Sequence, residues 1–268
     1  MQDRTTEADI AVLMPIYNDE PGLLKSLRSL PTEEILDVVI VDDGSTPPLS
    51  VPEKANGHNV RLLKMPHNSG IEAALNYGLE FIRRRGYRFV ARLDGGDVAV
   101  TGRFAKQRQY LLAHPECVLV GSHVEFVRPD DSRESLYRVP TEDAAIRRAM
   151  HYRTCFLHPA IMFRANILDT TGLYSTHYPA AEDYELFFRF LNHGQVANLD
   201  EVLCRAEDNP AGISRHRRRR QLVSCMKIKL TYFAPTMWES YVGLIRDLTM
   251  MVTPYRIVRW LKRSGKGR

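Results

Sequence analysis

Val38-Val39-Ile40-Val41-Asp42-Asp43-Gly44-Ser45 sets the pattern of the first hundred residues. A short apolar run breaks directly into two carboxylates, a glycine and a hydroxyl, which are turn formers. The same arrangement recurs on either side. Ile10 to Met14, Val60 to Lys64 and Phe89 to Leu93 are further apolar runs, recurring at about the 30-residue period of a strand-helix-strand unit. Between them, Leu23, Leu24, Leu27 and Leu30 make one apolar helical face. Ile71, Ala74, Leu75, Gly78, Leu79 and Ile82 make another, with Asn68 or Ser69 available as its cap. This alternation predicts an α/β fold on a mostly parallel sheet, with ligands at the carboxyl ends of the strands.

The chemistry lies in the segments that follow those strands. The first runs into Pro15-Ile16-Tyr17-Asn18-Asp19, the second into Asp42 to Thr46, and the fourth into Leu93-Asp94-Gly95-Gly96-Asp97, then Arg103 and Gln107. None is GxGxxG or GxxxxGK[ST], so the dinucleotide and P-loop readings lose their main warrant. A carboxylate in such a crevice can accept a hydrogen bond from a base N–H or bind ribose hydroxyls, and two on a glycine-containing loop can hold a divalent ion against a diphosphate. Each loop alone reads equally as an ordinary turn. Farther on, Glu182-Asp183 precedes Tyr184, Leu186, Phe187, Phe188 and Phe190, which puts both carboxylates in the first turn of an apolar helix. Acidic residues there favour the helix dipole whether or not they do chemistry.

The net charge of +5 over 268 residues conceals an asymmetry. Residues 215–268 carry 14 Lys and Arg against Glu239 and Asp247, a net +12, whereas the first 214 carry 23 basic and 30 acidic side chains, a net −7. After Arg215 and the run Arg217 to Arg220, the tail is rich in large apolar residues, and Trp238, Tyr241, Ile245 and Leu248 fall on one helical face. A second apolar group contains Tyr255, Ile257, Val258, Trp260 and Leu261. No uncharged run from Tyr232 onward reaches the roughly 20 residues that span a bilayer. Basic residues interleaved with Trp and Tyr suit the headgroup zone, so the tail is expected to lie on a membrane surface; packing on the main domain or a homodimer contact would use the same residues. The polar N-terminus lacks the pattern of a secretory signal, which places the chain in the cytoplasm. Cys117, Cys155, Cys204 and Cys225 are widely spaced and read as reduced thiols.

The order and spacing of these pieces resemble the family-2 glycosyltransferases of the GT-A fold, in particular the branch serving bacterial exopolysaccharide and O-antigen assembly. The matching segments are Pro15 to Asn18, Val41 to Ser45, Asn68 to Leu79, Asp94 to Gln107, His158 to Arg164, Glu182-Asp183 and Arg205 to Ser214. The resemblance implies a GT-A domain over residues 1–214, followed by a basic amphipathic helical tail over 215–268. It implies that Pro15, Tyr17 and Asp43 border the nucleotide, with Asp43 aimed at the base, and that Asp94 faces the ribose and diphosphate. Asp183 would be the general base on the acceptor hydroxyl, with Glu182 positioning the acceptor and His158 lining the site. The implied reaction is inverting and non-processive: one sugar passes from a nucleotide-diphosphate donor, a UDP-sugar by expectation, to a hydroxyl of a saccharide or lipid-linked saccharide. The expected location is the inner face of the cytoplasmic membrane, as a peripheral protein.

Two departures from the family pattern bear on the metal, Mn2+ or Mg2+. The usual ligand position is Gly96, which leaves Asp94 and Asp97 as the candidate ligands. The late segment carries no histidine before Gly212 and Ser214, and Asp208 is a candidate to supply an oxygen ligand there. These departures raise the alternative of a catalytically degenerate nucleotide-binding or membrane-bound scaffold. A sugar-phosphate nucleotidyltransferase would need a glycine-rich basic loop after the first strand, where Pro15 to Gly22 stands instead. The tail holds no nucleic-acid recognition module, so nucleic acid is not an expected partner.

Overall fold

The computed structural model describes residues 8–128, 132–207 and 218–253. Strand β1 (Ile10–Ile16) lies between β2 (Asp37–Asp42) and β5 (Phe89–Arg92), with β4 (His58–Lys64) beyond β2, and these four run parallel. Their apolar residues divide cleanly by the two-residue period of a strand. Ala11 and Leu13 of β1 enter one core with Val39 and Val41, while Ile10, Val12 and Met14 enter the other with Val38 and Ile40. A sheet buried on both faces explains why β1 and β2 read as continuous apolar runs instead of alternating.

Helix α1 (Glu20–Arg28) covers the second face, where Leu23 and Leu27 are buried, although Leu24 stays exposed. Helix α2 (Ile71–Arg85) covers the first face with Ala74, Leu75, Leu79 and Ile82. Its N-cap is Gly70, and neither Asn68 nor Ser69 caps it with a side chain. The capping acceptor comes from another loop, described below.

The sheet continues as a mixed half that the strand-helix period does not foretell. Strand β9 (Met162–Arg164) runs antiparallel between β5 and β7 (Cys117–Val127); β10 (Gln195–Glu207) is parallel to β7; and β6 (Val98–Ala99) pairs antiparallel with β10. Short β3 (Lys54–Ala55) edges β4, and β8 (Arg133–Tyr137) pairs with β7, so the main order is β3-β4-β2-β1-β5-β9-β7-β10-β6. Helix α3 (Arg103–Ala113) joins the core of α1, whereas α4 (Asp143–Met150), α5 (Leu168–Thr171) and α6 (Glu182–Leu191) join that of α2.

Two more helices, α7 (Arg218–Thr231) and α8 (Trp238–Val252), pack behind α6. Tyr232 stacks on Phe188 with ring centroids 4.7 Å apart, and the Ser224 hydroxyl donates to the Pro179 carbonyl. Gly243 of α8 lies against the His151 carbonyl so closely that a Cβ would stand 2.1 Å from that oxygen. No helix among the described residues is long and apolar enough to cross a membrane. The boundary at 214/215, Asp208, Arg215, Arg217 and the group from Tyr255 to Leu261 lie outside the described residues.

Candidate functional site

The parallel strands deliver three loops to one crevice. Pro15 pairs with Val41 at the ends of β1 and β2, which sets Pro15, Tyr17 and Asp43 side by side, with Tyr17 half exposed. The turn after β2 is fixed by Asp42, whose carboxylate accepts the Ser45 and Leu49 amides, both at 2.9 Å. Asn18 ties the two loops together: its amide donates to Ser45 Oγ at 2.9 Å, and its side-chain oxygen accepts from the Thr46 amide at 2.8 Å. Gly44 has φ +73° and abuts the 67–68 backbone, where a Cβ would fall 2.4 Å from the His67 carbonyl carbon.

Asp43 reaches across to the start of α2. Its Oδ1 accepts the Ser69 amide at 2.7 Å and its Oδ2 accepts the Gly70 amide at 3.0 Å. This supplies the cap that the local sequence lacks, and a carboxylate there also meets the positive end of the helix dipole. The carboxylate is 4% exposed and each oxygen keeps a further acceptor direction. An acceptor oriented in this way by two backbone donors is suited to a base N–H.

The loop after β5 stands on buried cations. Arg92 is fully buried; its guanidinium pairs with Asp94 Oδ1, donates to the Leu13 carbonyl, and donates to His158 Nε2 at 3.3 Å. Arg103, also fully buried, donates to the Arg92 carbonyl at 2.7 Å and to Gln107, so the Arg103 to Gln107 part of the motif is a brace. Asp94 remains partly exposed. Asp97 is buried, as Asp43 and Glu182 are, but its Oδ1 accepts the Glu207 amide at 3.2 Å, and burial, reinforced by Asp94, pushes its carboxyl well above the usual carboxylate range.

This donor set bears directly on a metal. Among the described residues no group of three His, Cys, Asp or Glu side chains converges on a point fit for an ion. Gly96 offers no side-chain oxygen, one oxygen of Asp97 accepts the Glu207 amide, and one oxygen of Asp94 is engaged by Arg92. One carboxylate fits an ion that takes its remaining ligands from substrate phosphates and water, a common arrangement for Mg2+. It does not fit an ion held by the protein alone.

Two further carboxylates stand at the start of α6. Asp183 Oδ1 accepts the Tyr184 amide at 2.7 Å, and burial raises its carboxyl to about 6 against that bond, with Asp94 adding to the rise. Glu182 is 7% exposed and is pushed to about 8 by burial and then by Asp183. Its Oε2 is buried with no hydrogen-bond partner among the described residues. Two interacting carboxyls release their protons in separate steps, so near neutrality the pair holds one charge and one proton. The helix beneath them is anchored by the Tyr184 hydroxyl, which donates to the Met150 carbonyl. His158 lies under the crevice, held by Arg92 and by Tyr174 at 2.6 Å; burial and the Arg92 charge lower it to about 3, so it stays neutral and accepts.

The structure thus sets Pro15, Tyr17 and Asp43 at the carboxyl ends of β1 and β2, brings Glu182 and Asp183 within electrostatic reach of Asp94, and holds Asp97 against the Glu207 amide. Arg92 and Tyr174 are the residues that sequence reasoning missed. An arginine inside the apolar run Phe89 to Leu93 was the available signal, since a buried cation needs a buried partner.

Comparison with known proteins bears on the chain as a whole. The profile described as "Glycosyl transferase family 2" matches residues 11–171. The amylovoran biosynthesis glycosyltransferase AmsE of Erwinia amylovora is 32% identical over 96% of this chain and 99% of its own length. The Escherichia coli UDP-Gal:alpha-D-GlcNAc-diphosphoundecaprenol beta-1,3-galactosyltransferase is 29% identical over 100% of this chain and 96% of its own. Among solved structures, Staphylococcus aureus TarS 1-349 in complex with UDP-GlcNAc superposes with a TM-score of 0.62 at 18% identity, covering 89% of this chain and 71% of that one. The mannosyltransferase PcManGT of Pyrobaculum calidifontis, in complex with GDP-Man and Mn2+, gives 0.62 at 17% identity over 99% and 82%. These two share the GT-A fold with this chain.

Proposed function

The chain belongs to glycosyl transferase family 2, and on that premise we propose that it transfers a single sugar, with inversion, from a nucleotide-diphosphate sugar to a hydroxyl of a lipid-linked saccharide in cell-surface polysaccharide assembly. The observation that carries this reading is the Glu182-Asp183 pair at the start of α6, whose carboxyls are raised by burial and by the nearby charge of Asp94. Asp183, ionised above about pH 6, takes the proton of the acceptor hydroxyl. The acceptor oxygen then forms its bond to the anomeric carbon from the face opposite the diphosphate. The bond from that carbon to the diphosphate oxygen breaks, and the nucleoside diphosphate leaves with the electron pair. One displacement inverts configuration and needs no enzyme nucleophile.

Glu182, pushed up by burial and by Asp183 and so still protonated near neutrality, positions the acceptor beside that base. Pro15 and Tyr17 border the nucleotide, Asp43 accepts from its base, and Asp94 faces the ribose and diphosphate. A UDP-sugar is the proposed donor. A divalent ion, Mn2+ or Mg2+, would enter with the diphosphate, take one oxygen of Asp94, and supply charge for the leaving group. The relatives in amylovoran biosynthesis and on diphosphoundecaprenol-linked GlcNAc support the acceptor class. Such an acceptor places the protein peripherally at the inner face of the cytoplasmic membrane, with residues 215–268 as the membrane-facing appendage of the 1–214 domain.

Calorimetric titration with UDP, GDP and dTDP, each with and without Mn2+, tests the donor side. UDP binding that weakens in Asp94→Ala and tightens with Mn2+ is expected. If no nucleotide binds, the fold is serving as a scaffold and the transferase reading fails.

A further inference from the structure

Helix α8 is amphipathic in the reverse of the usual sense. Its inward face is polar and small: Glu239, Ser240, Gly243 and Asp247 are the buried positions. Each is committed to the domain. Arg148 pairs with Glu239 at 2.8 Å, Ser240 Oγ meets His151 Nδ1 at 3.1 Å, and Gly243 abuts the His151 carbonyl. Buried Lys229 of α7 donates to Asp247 at 2.7 Å and to the Tyr152 and Gly243 carbonyls. A buried ammonium with three acceptors fixes the rotation of α8, because turning the helix would strand both charges.

That rotation sends the apolar face outward. Trp238, Tyr241, Ile245, Leu248 and Val252 are 63, 49, 62, 54 and 81% exposed, and all five lie on one stripe of the helix. Trp238 also lines a mostly apolar groove of about 520 Å³ with Ala145, Ala149, Tyr152 and Val242, with the Arg148-Glu239 ion pair on its wall. The only two carboxylates of residues 215–268, Glu239 and Asp247, are the ones turned inward into ion pairs. Arg219, Arg220 and Lys227 of α7 are exposed. Residues 218–253 therefore expose hydrocarbon on α8 and positive charge on the adjoining α7.

We propose that the outward face of α8 seats on an anionic phospholipid bilayer, with the Trp238 to Val252 stripe among the acyl chains and a chain entering the groove beside Trp238. The proposal rests on the reading of the acceptor as lipid-linked, and gives that reading the surface that brings enzyme and acceptor together. A second copy of the chain fits less well. The stripe covers about two heptads in a 15-residue helix, short of the roughly three to four that sustain a coiled coil, and two copies would oppose like charges. Anionic headgroups complement those charges instead.

Trp238 reports on this directly, since Trp260 is the only other tryptophan. In the full-length Trp260→Phe protein, without any sugar nucleotide, Trp238 fluorescence should shift to the blue on vesicles of phosphatidylethanolamine and phosphatidylglycerol, and brominated acyl chains should quench it. Vesicles of phosphatidylcholine alone should bind far less. Ile245→Glu with Leu248→Glu should lower partitioning by about tenfold or more while UDP binding stays that of the wild type, which keeps this test separate from that of transfer. No spectral shift, or partitioning unchanged by the double substitution, overturns the proposal. A shift that follows protein concentration without vesicles overturns it in favour of a contact between copies.

Discussion

The starts of α2 and α6 are each met by a carboxylate, yet the two are used in opposite ways. At α2, Asp43 arrives from another loop and both of its oxygens accept backbone amides. At α6, Asp183 has the Tyr184 amide on one oxygen, Glu182 Oε2 has no partner among the described residues, and both carboxyls are raised by burial. A compensated carboxylate is a fixed acceptor, good for recognition. An undercompensated pair keeps proton affinity in reserve, which is what a general base requires.

The strongest way to break this contrast is at the base. Asp183→Asn should lower the transfer rate by about 10²–10⁴-fold, read as single-turnover incorporation of radiolabelled sugar from UDP-hexoses into lipid extracts of bacterial membranes. The wild-type kcat/KM should fall about tenfold for each pH unit below about 6, as the fraction of ionised Asp183 declines; a flat profile down to pH 5 would remove Asp183 as the titrating base. At α2, Asp43→Ala leaves the part-buried Ser69 and Gly70 amides without their acceptor and should cost about 0.5–2 kcal/mol, as loss of a helix cap does, measured by urea unfolding.

Glu182 sharpens the contrast through stability. Its folded-state value lies above the ordinary 4.5, so the folded chain binds more protons than the unfolded one between there and about 8, and stability declines as pH rises through that window. Glu182→Gln should flatten the decline in thermal melts between pH 5 and 8. The smallest effect is expected at Gly96, where φ is +89° and no atom lies within 4 Å of the place a Cβ would occupy. Gly96→Asp should cost only about 1–2 kcal/mol for the left-handed backbone, and should make UDP binding more dependent on Mn2+ in calorimetry.

The parallel half of the fold is legible because its information is local. Val38 to Val41 and Ile10 to Met14 are apolar throughout, and only a strand covered on both faces uses such runs. The mixed half is not legible, since β9 and β6 span three and two residues and are specified by partners distant in sequence. The site divides along the same line. Asp43, Asp94 and Asp183 can be placed from loops and motif order, whereas Asp97 is held by the Glu207 amide, 110 residues away. The cap of α2 reads in sequence as Asn68 or Ser69 for the same reason, because its true acceptor is supplied from 26 residues upstream. On α8 the sequence shows the apolar stripe, but not that Lys229 and Asp247 hold it outward.

The division of labour between the two helix starts is tested most directly by titrating UDP into Asp43→Ala and Asp183→Asn in parallel, with folding verified by circular dichroism. If that division holds, Asp183→Asn keeps wild-type UDP affinity and Asp43→Ala loses at least about tenfold. Loss of UDP binding in Asp183→Asn, or unchanged binding in folded Asp43→Ala, would contradict it.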